Sequence, residues 1–178
     1  MFSFSRVFLR SGMRALAIAS VVAAVSISGV AADNGKNFHG TVNETFTAVA
    51  CPAPSSPTLF CAQSNGSGQM SHVGQVTSSF LGIVDFAQSP APGCYIETST
   101  GTLTSANGDQ VFVADNNGTF CLTSATSGSV TGTFSVTGGT GRFSAATGSG
   151  NYSASTVFNS TMTGGSSAET YDGSVSMH

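Results

Sequence analysis

Beyond residue 32 no stretch of the sequence repeats its apolar residues every 3.6 positions for ten residues or more, so an amphipathic helix is not a building block of the main body. What recurs is alternation. Val42, Glu44 and Phe46 alternate with Thr41, Asn43 and Thr45, and Val130, Gly132, Phe134 and Val136 alternate with Thr131, Thr133, Ser135 and Thr137. A period of two sends successive side chains to opposite faces of a strand, and Thr with β-branched and aromatic residues favours that conformation. Strands are expected over 38–49, 60–63, 69–80, 80–86, on both sides of Asn107-Gly108, and over 128–137, 150–162 and 168–177. Asn65-Gly66-Ser67-Gly68 reads as a turn or bulge, and Phe80 to Phe86, apolar at both parities, as a strand covered on both sides. Short strands separated by Gly-rich turns make an all-β domain, either a barrel or a β-sandwich.

The N-terminus reads differently. Arg6, Arg10 and Arg14 precede an apolar run from Ala15 to Ile27, and Val30-Ala31-Ala32 has the small residues of a cleavage site. Residues 1–32 are therefore expected to be an export signal and 33–178 a single domain, extracellular or periplasmic and without stable membrane insertion once cleaved. A retained anchor would need about 20 strongly apolar residues, and this run is shorter and rich in Ala and Ser. Removing it leaves Lys36 and Arg142 against all eight acids. Phosphate backbones are bound by clustered Lys and Arg, so nucleic acid is not an expected partner. An oligomer is compatible with the sequence.

Cys51, Cys61, Cys94 and Cys121 all lie in the exported part. An even number in an oxidising compartment implies two disulfides, with three possible connectivities. Asn107-Gly108 signals a two-residue hairpin turn. A hairpin centred there sets Leu103 opposite Phe112, Tyr95 opposite Phe120 and Cys94 opposite Cys121, which leaves Cys51 and Cys61 to close a Pro-rich loop. Counted out from that turn, 94 and 121 form a hydrogen-bonded pair about 5.5 Å apart at Cα, within disulfide range. A bulge or second turn at Asp115-Asn116-Asn117-Gly118 would shift this register.

Gly138-Gly139-Thr140-Gly141-Arg142-Phe143, followed by small residues and Gly148, resembles the Gly-Gly-Thr-Gly-Lys-Phe segment near the end of plant dirigent proteins and the corresponding segment of allene oxide cyclases. Ala106-Asn107-Gly108-Asp109 ahead of a strand, and 68–77 around His72-Val73-Gly74, are similar to small secreted bacterial proteins with the same barrel. The resemblance spans 38–158 and is sharpest at 138–150. It implies an eight-stranded antiparallel up-and-down barrel whose apolar lumen has room for one small ligand. Gly138, Gly139, Gly141, Arg142, Phe143 and Gly148 are then barrel-closing architecture, with Arg142 paired to an acid. The chemistry transfers less well. Dirigent motifs continue with arginines, whereas Ser144-Ala145-Ala146-Thr147 follow here, and the lumen carboxylate of the cyclases has no residue-by-residue match.

Glu44 shares a face with Val42 and Phe46, and Glu97 with Tyr95 and Leu103, so each is a candidate lumen acid. A carboxyl in an apolar lumen has a raised pKa and can act as acid or base. The plainer reading is a solvated face, or neutralisation of Arg142. Phe46, Phe112, Phe134 and Tyr152, at alternating apolar positions of long strands, are the candidate ligand-contacting aromatics. No Gly-x-Ser-x-Gly elbow, phosphate loop or His-Glu-x-x-His site occurs, and His39, His72 and His178 are scattered, so neither metal nor cofactor is expected. Three functions remain: binding of a small apolar or aromatic molecule without catalysis, an isomerase or cyclase acting in the lumen, or a structural or adhesive surface protein.

Overall fold

The computed structural model describes residues 35–177, and the expected export signal at 1–32 lies outside them. The alternation is realised in eight strands: β1 (Lys36–Val49), β2 (Leu59–Met70), β3 (Gly74–Asp85), β4 (Cys94–Ser105), β5 (Gln110–Ser124), β6 (Ser127–Gly139), β7 (Thr147–Phe158) and β8 (Gly164–Ser176). Each pairs antiparallel with the next, and β1 pairs with β8, so the sheet closes into a barrel rather than a sandwich. Closure leaves no unpaired edge. Thr41, Asn43 and Thr45 point out while Val42, Glu44 and Phe46 point in, and on β7 Asn151, Ser153 and Ser155 oppose Tyr152, Ala154 and Thr156 in the same way.

One end of the barrel is packed shut. Phe38, Val42, Met70, Leu103, Val111 and Val175 are fully buried there, each contributing about 1.5–3 kcal/mol through the apolar surface it removes from water. The segment expected to close the barrel supplies the plug. Gly141 takes φ 54°, a conformation that L side chains rarely adopt, to start a 3-10 turn, Gly141–Phe143, that drives Phe143 into the core. Gly139 lies tight against Phe143, and Gly148 against Val175. Arg142 then ties the closed-end loops together: its Nη2 donates to Val73 O at 3.0 Å, its Nε lies 3.8 Å from Asp109 Oδ2, and its guanidinium covers the Phe143 ring. Its expected acid is thus Asp109, outside the lumen, and the Arg142 side chain is 51% exposed.

Three local expectations are corrected. Asn65-Gly66-Ser67-Gly68 is neither turn nor bulge; β2 runs through it in regular register with β1 and β3, and the chain turns at 71–73 instead. Phe80 to Phe86 has no covering layer: Phe80, Gly82, Val84 and Phe86 line the lumen, and the alternation turns Leu81 and Ile83 outward, half-buried. The hairpin at Asn107-Gly108 has a three-residue loop, with Gly108 at φ 89° and Ser105 pairing with Asp109, so its register near the turn differs by one residue. Leu103 faces Val111, not Phe112. A one-residue slip reverses every side chain, so Phe112 points outward and is 37% exposed.

A bulge restores the expected register farther along. Ser99 pairs with Asp115 but Glu97 with Gly118, and from there Tyr95 faces Phe120 and Cys94 faces Cys121. Both expected disulfides are present, Cys51–Cys61 and Cys94–Cys121. The Cys94–Cys121 pair is a non-hydrogen-bonded one with Cα atoms 4.0 Å apart, because Leu122 N donates to Gly93 O and takes the hydrogen-bonded position next to it.

Candidate ligand-binding site in the barrel lumen

Above the packed core the inward side chains stop meeting, and a cavity of about 310 Å³ remains. Its walls are aromatic. Phe46 and Phe120 each meet Phe158 edge-on, at 5.5 and 5.9 Å between ring centres. Phe86, Leu122 and Met162, all more than 40% exposed, border it at the end away from the plug. A column of rings links core to cavity: Phe38 meets Phe134 at 5.6 Å, Phe134 meets Tyr171 at 5.5 Å, and Tyr171 stacks on its cross-strand neighbour Tyr152 at 6.2 Å.

Four carboxyl groups border this cavity, Glu44 from β1, Glu97 from β4, Asp115 from β5 and Glu169 from β8. The β5 bulge brings two of them together. Because it inserts one residue, Val111, Val113 and Asp115 and then Gly118, Phe120 and Leu122 all reach the inside of one strand. Gly118 leaves the gap into which the cluster folds, since a Cβ there would land on Glu97 Oε2, Tyr152 Oη and Asp115 Oδ2. Asp115 Oδ1 accepts from Asn117 N at 3.0 Å, which fixes the carboxyl within the bulge.

Tyr152 Oη lies 2.6 Å from Glu97 Oε2 and also contacts Asp115 Oδ2. A phenol has one proton to donate, so the second contact requires a carboxylic proton. Glu97 supplies it: burial first, then its contact with Asp115, pushes its pKa from 4.5 up to about 9. Burial and the neighbouring Glu97 charge raise the Tyr152 phenol too. Tyr171 Oη donates to Glu169 Oε2 at 2.7 Å. Burial, followed by the charge of Glu44, raises Glu169 to about 7, while burial and Glu169 raise Tyr171 well above its ordinary value. Glu44 differs from the other three. It is 3% exposed and receives no N–H or phenol hydrogen bond among the described residues; what faces it is the Glu169 carboxyl, close enough to share a proton with it.

The structure thus places Glu44, Glu97, Phe46, Phe134 and Tyr152 on one cavity and Phe112 outside it. Sequence reasoning missed Asp115, Glu169 and Tyr171. The signals were present: inward parity switches between Val113 and Phe120, which demands an extra residue between them, and Glu169, Tyr171 and Val175 share one parity of the last strand.

No protein-family model matches the chain, and no curated protein matches it. Two solved structures of pterocarpan synthase dirigent proteins are similar to it. One has a TM-score of 0.45 and 17% identity, over 79% of this chain and 84% of that one. The other has a TM-score of 0.46 and 16% identity, over 80% of this chain and 96% of that one.

Proposed function

We propose that the protein binds a small, largely apolar or aromatic molecule in the hollow half of its barrel, without transforming it. The unfilled cavity of about 310 Å³ carries this reading. Small-molecule sites begin at about 300 Å³ and are mostly apolar with a few converging polar groups. A purely structural or adhesive barrel has no use for the gap, because packing it as the closed half is packed would stabilise the fold. Export belongs to the proposal. The two disulfides fit an oxidising compartment, and Thr, Ser and Asn on the outer faces of β1 and β7 suit a barrel surrounded by water. The mature chain is expected to begin near Asp33 and hold no free thiol, which intact mass with and without reduction checks.

Titration with the neutral fluorophore N-phenyl-1-naphthylamine tests the binding reading. Saturable uptake at one molecule per chain supports it, and non-saturating fluorescence overturns it. The second reading, an isomerase or cyclase, is favoured by one observation: Glu97, hydrogen-bonded to Tyr152, borders the cavity. With a pKa raised to about 9, this carboxyl keeps its proton at neutral pH and can give it to a bound carbonyl or double bond. Native mass spectrometry of protein from its own source separates the two readings, since a co-purifying product related to added precursor by isomerisation would favour the enzyme.

A further inference from the structure

We propose that the molecule bound in this lumen is an apolar or aromatic amine, held with its ammonium group on Glu44. The proposal rests on the reading of the lumen as a binding site and adds the ligand's chemical class. Three of the four luminal carboxyls already have a phenol partner: Tyr152 serves Glu97 and Asp115, and Tyr171 serves Glu169. Glu44 has none and has only the Glu169 carboxyl beside it; it is almost wholly buried and borders the cavity. Two buried carboxyls that face each other without a cation are costly to ionise, and a cationic donor brought by the ligand removes that cost.

The chain itself supplies no cation there. Among the described residues Lys36, His39, His72 and Arg142 are its basic side chains, and they belong to the closed end: Lys36 and His39 open β1, His72 lies in the β2–β3 turn, and Arg142 reaches Val73 and Asp109. A neutral hydroxyl offers one proton and no charge. An ammonium offers three protons and the opposite charge, enough to engage Glu44 and the neighbouring Glu169 together, whose interaction is already repulsive. Aromatic faces above the acids suit the rest of such a ligand, since π faces attract cations as well as apolar groups. Among the described residues no three His, Cys, Asp or Glu side chains group closely enough to hold a metal ion.

The test is a matched pair of ligands on the oxidised protein at pH 7, tryptamine and indole-3-ethanol, which share the indole and differ in ammonium against hydroxyl. Calorimetry is expected to give tryptamine at least tenfold the affinity of indole-3-ethanol. Binding of tryptamine should also release protons, because a cation at the cluster of Glu44, Glu97, Asp115, Glu169, Tyr152 and Tyr171 favours ionised carboxyls; repeating the titration in buffers of different ionisation enthalpy measures this. Glu44→Gln is expected to bring tryptamine down to the affinity of indole-3-ethanol, its thermal melt checking the fold. Equal affinities in the unaltered protein, or equal proton release by the two ligands, would overturn the amine assignment and leave the binding site standing. Failure of both indoles and of N-phenyl-1-naphthylamine to saturate would instead overturn the binding site itself.

Discussion

The two halves of this lumen are built from the same eight strands and held together by different means. The closed half is filled by Phe38, Val42, Met70, Leu103, Val111 and Val175 and stoppered by Phe143, and neither disulfide lies in it. The hollow half keeps a cavity, places buried acids around it, and has both disulfides at its rim, one at the β1–β2 connection and one joining β4 to β5. Covalent links stand where packing is missing. A binding cavity forfeits core contacts by definition, and the strands around it must be kept in place by something that does not occupy the space.

Breaking that contrast should show the largest effect where the halves meet. Phe134 is 2% exposed and joins Phe38 below to Tyr171 above. Phe134→Ala is expected to cost about 3–5 kcal/mol in denaturant unfolding. Phe46→Ala, which widens a space already empty, should cost less and change probe affinity instead. Equal losses at the two sites would erase the distinction between halves.

Next come the disulfides, which close loops of sequence separation 10 and 27. On the chain-entropy estimate each contributes about 3 kcal/mol. Hydrogen exchange on reduced protein is expected to show the ends of β1, β3 and β5 at the rim losing protection before the closed half does. Uniform loss would mean that the rim does not depend on them.

The pH dependence is smaller, on the order of 2 kcal/mol. Glu97 and Glu169 rise on folding from 4.5 to about 9 and about 7, so the folded chain binds protons that the unfolded chain has released. Their contribution is complete below about pH 4.5 and is lost as pH climbs through 7 and then 9. Thermal melts should therefore fall between pH 5 and pH 9, and Glu97→Gln should flatten the upper part of that fall. A melt that rises over this range would contradict the buried acids.

Smallest is Arg142→Met. Its partner Asp109 is 3.8 Å away and the arginine half-exposed, so the loss should stay below about 1 kcal/mol, with no change in probe binding. A larger loss, read by the same melts, would show that the tie to Val73 carries the plug.

How much of this was legible in the sequence follows from which physical signals are local. Strand content could be read because alternation is a property of neighbouring residues, and the barrel followed from the resemblance carried by Gly138–Phe143. The Cys94–Cys121 bond was also readable, although the turn that pointed to it has a three-residue loop and Phe112 was turned the wrong way as a result. Two misplacements cancelled, since the bulge at Asp115–Gly118 corrects the shift that the longer loop introduces. The acid cluster was half visible. Glu44 and Glu97 stood beside apolar partners of the same parity, but Asp115 sits within the bulge and its facing depends on a register set by two other strands.

That bulge has a further consequence, best put in terms of inheritance. The extra residue in β5 is one that strand pairing does not need: a chain lacking Asn117 would pair β4 with β5 in a single unbroken register, with Cys94 still opposite the present Cys121 and Gly118, Phe120 and Leu122 still inward. What it would give up is the local distortion that holds Asp115 against Tyr152 and Glu97. Fold and site are thus separable by one codon, and such a deletion variant is expected to keep both disulfides by intact mass while weakening the upper part of the fall in stability from pH 5 to pH 9, the part that Glu97 supplies. A barrel of this kind can acquire or discard the contact between two of its buried acids and a tyrosine without rebuilding its walls.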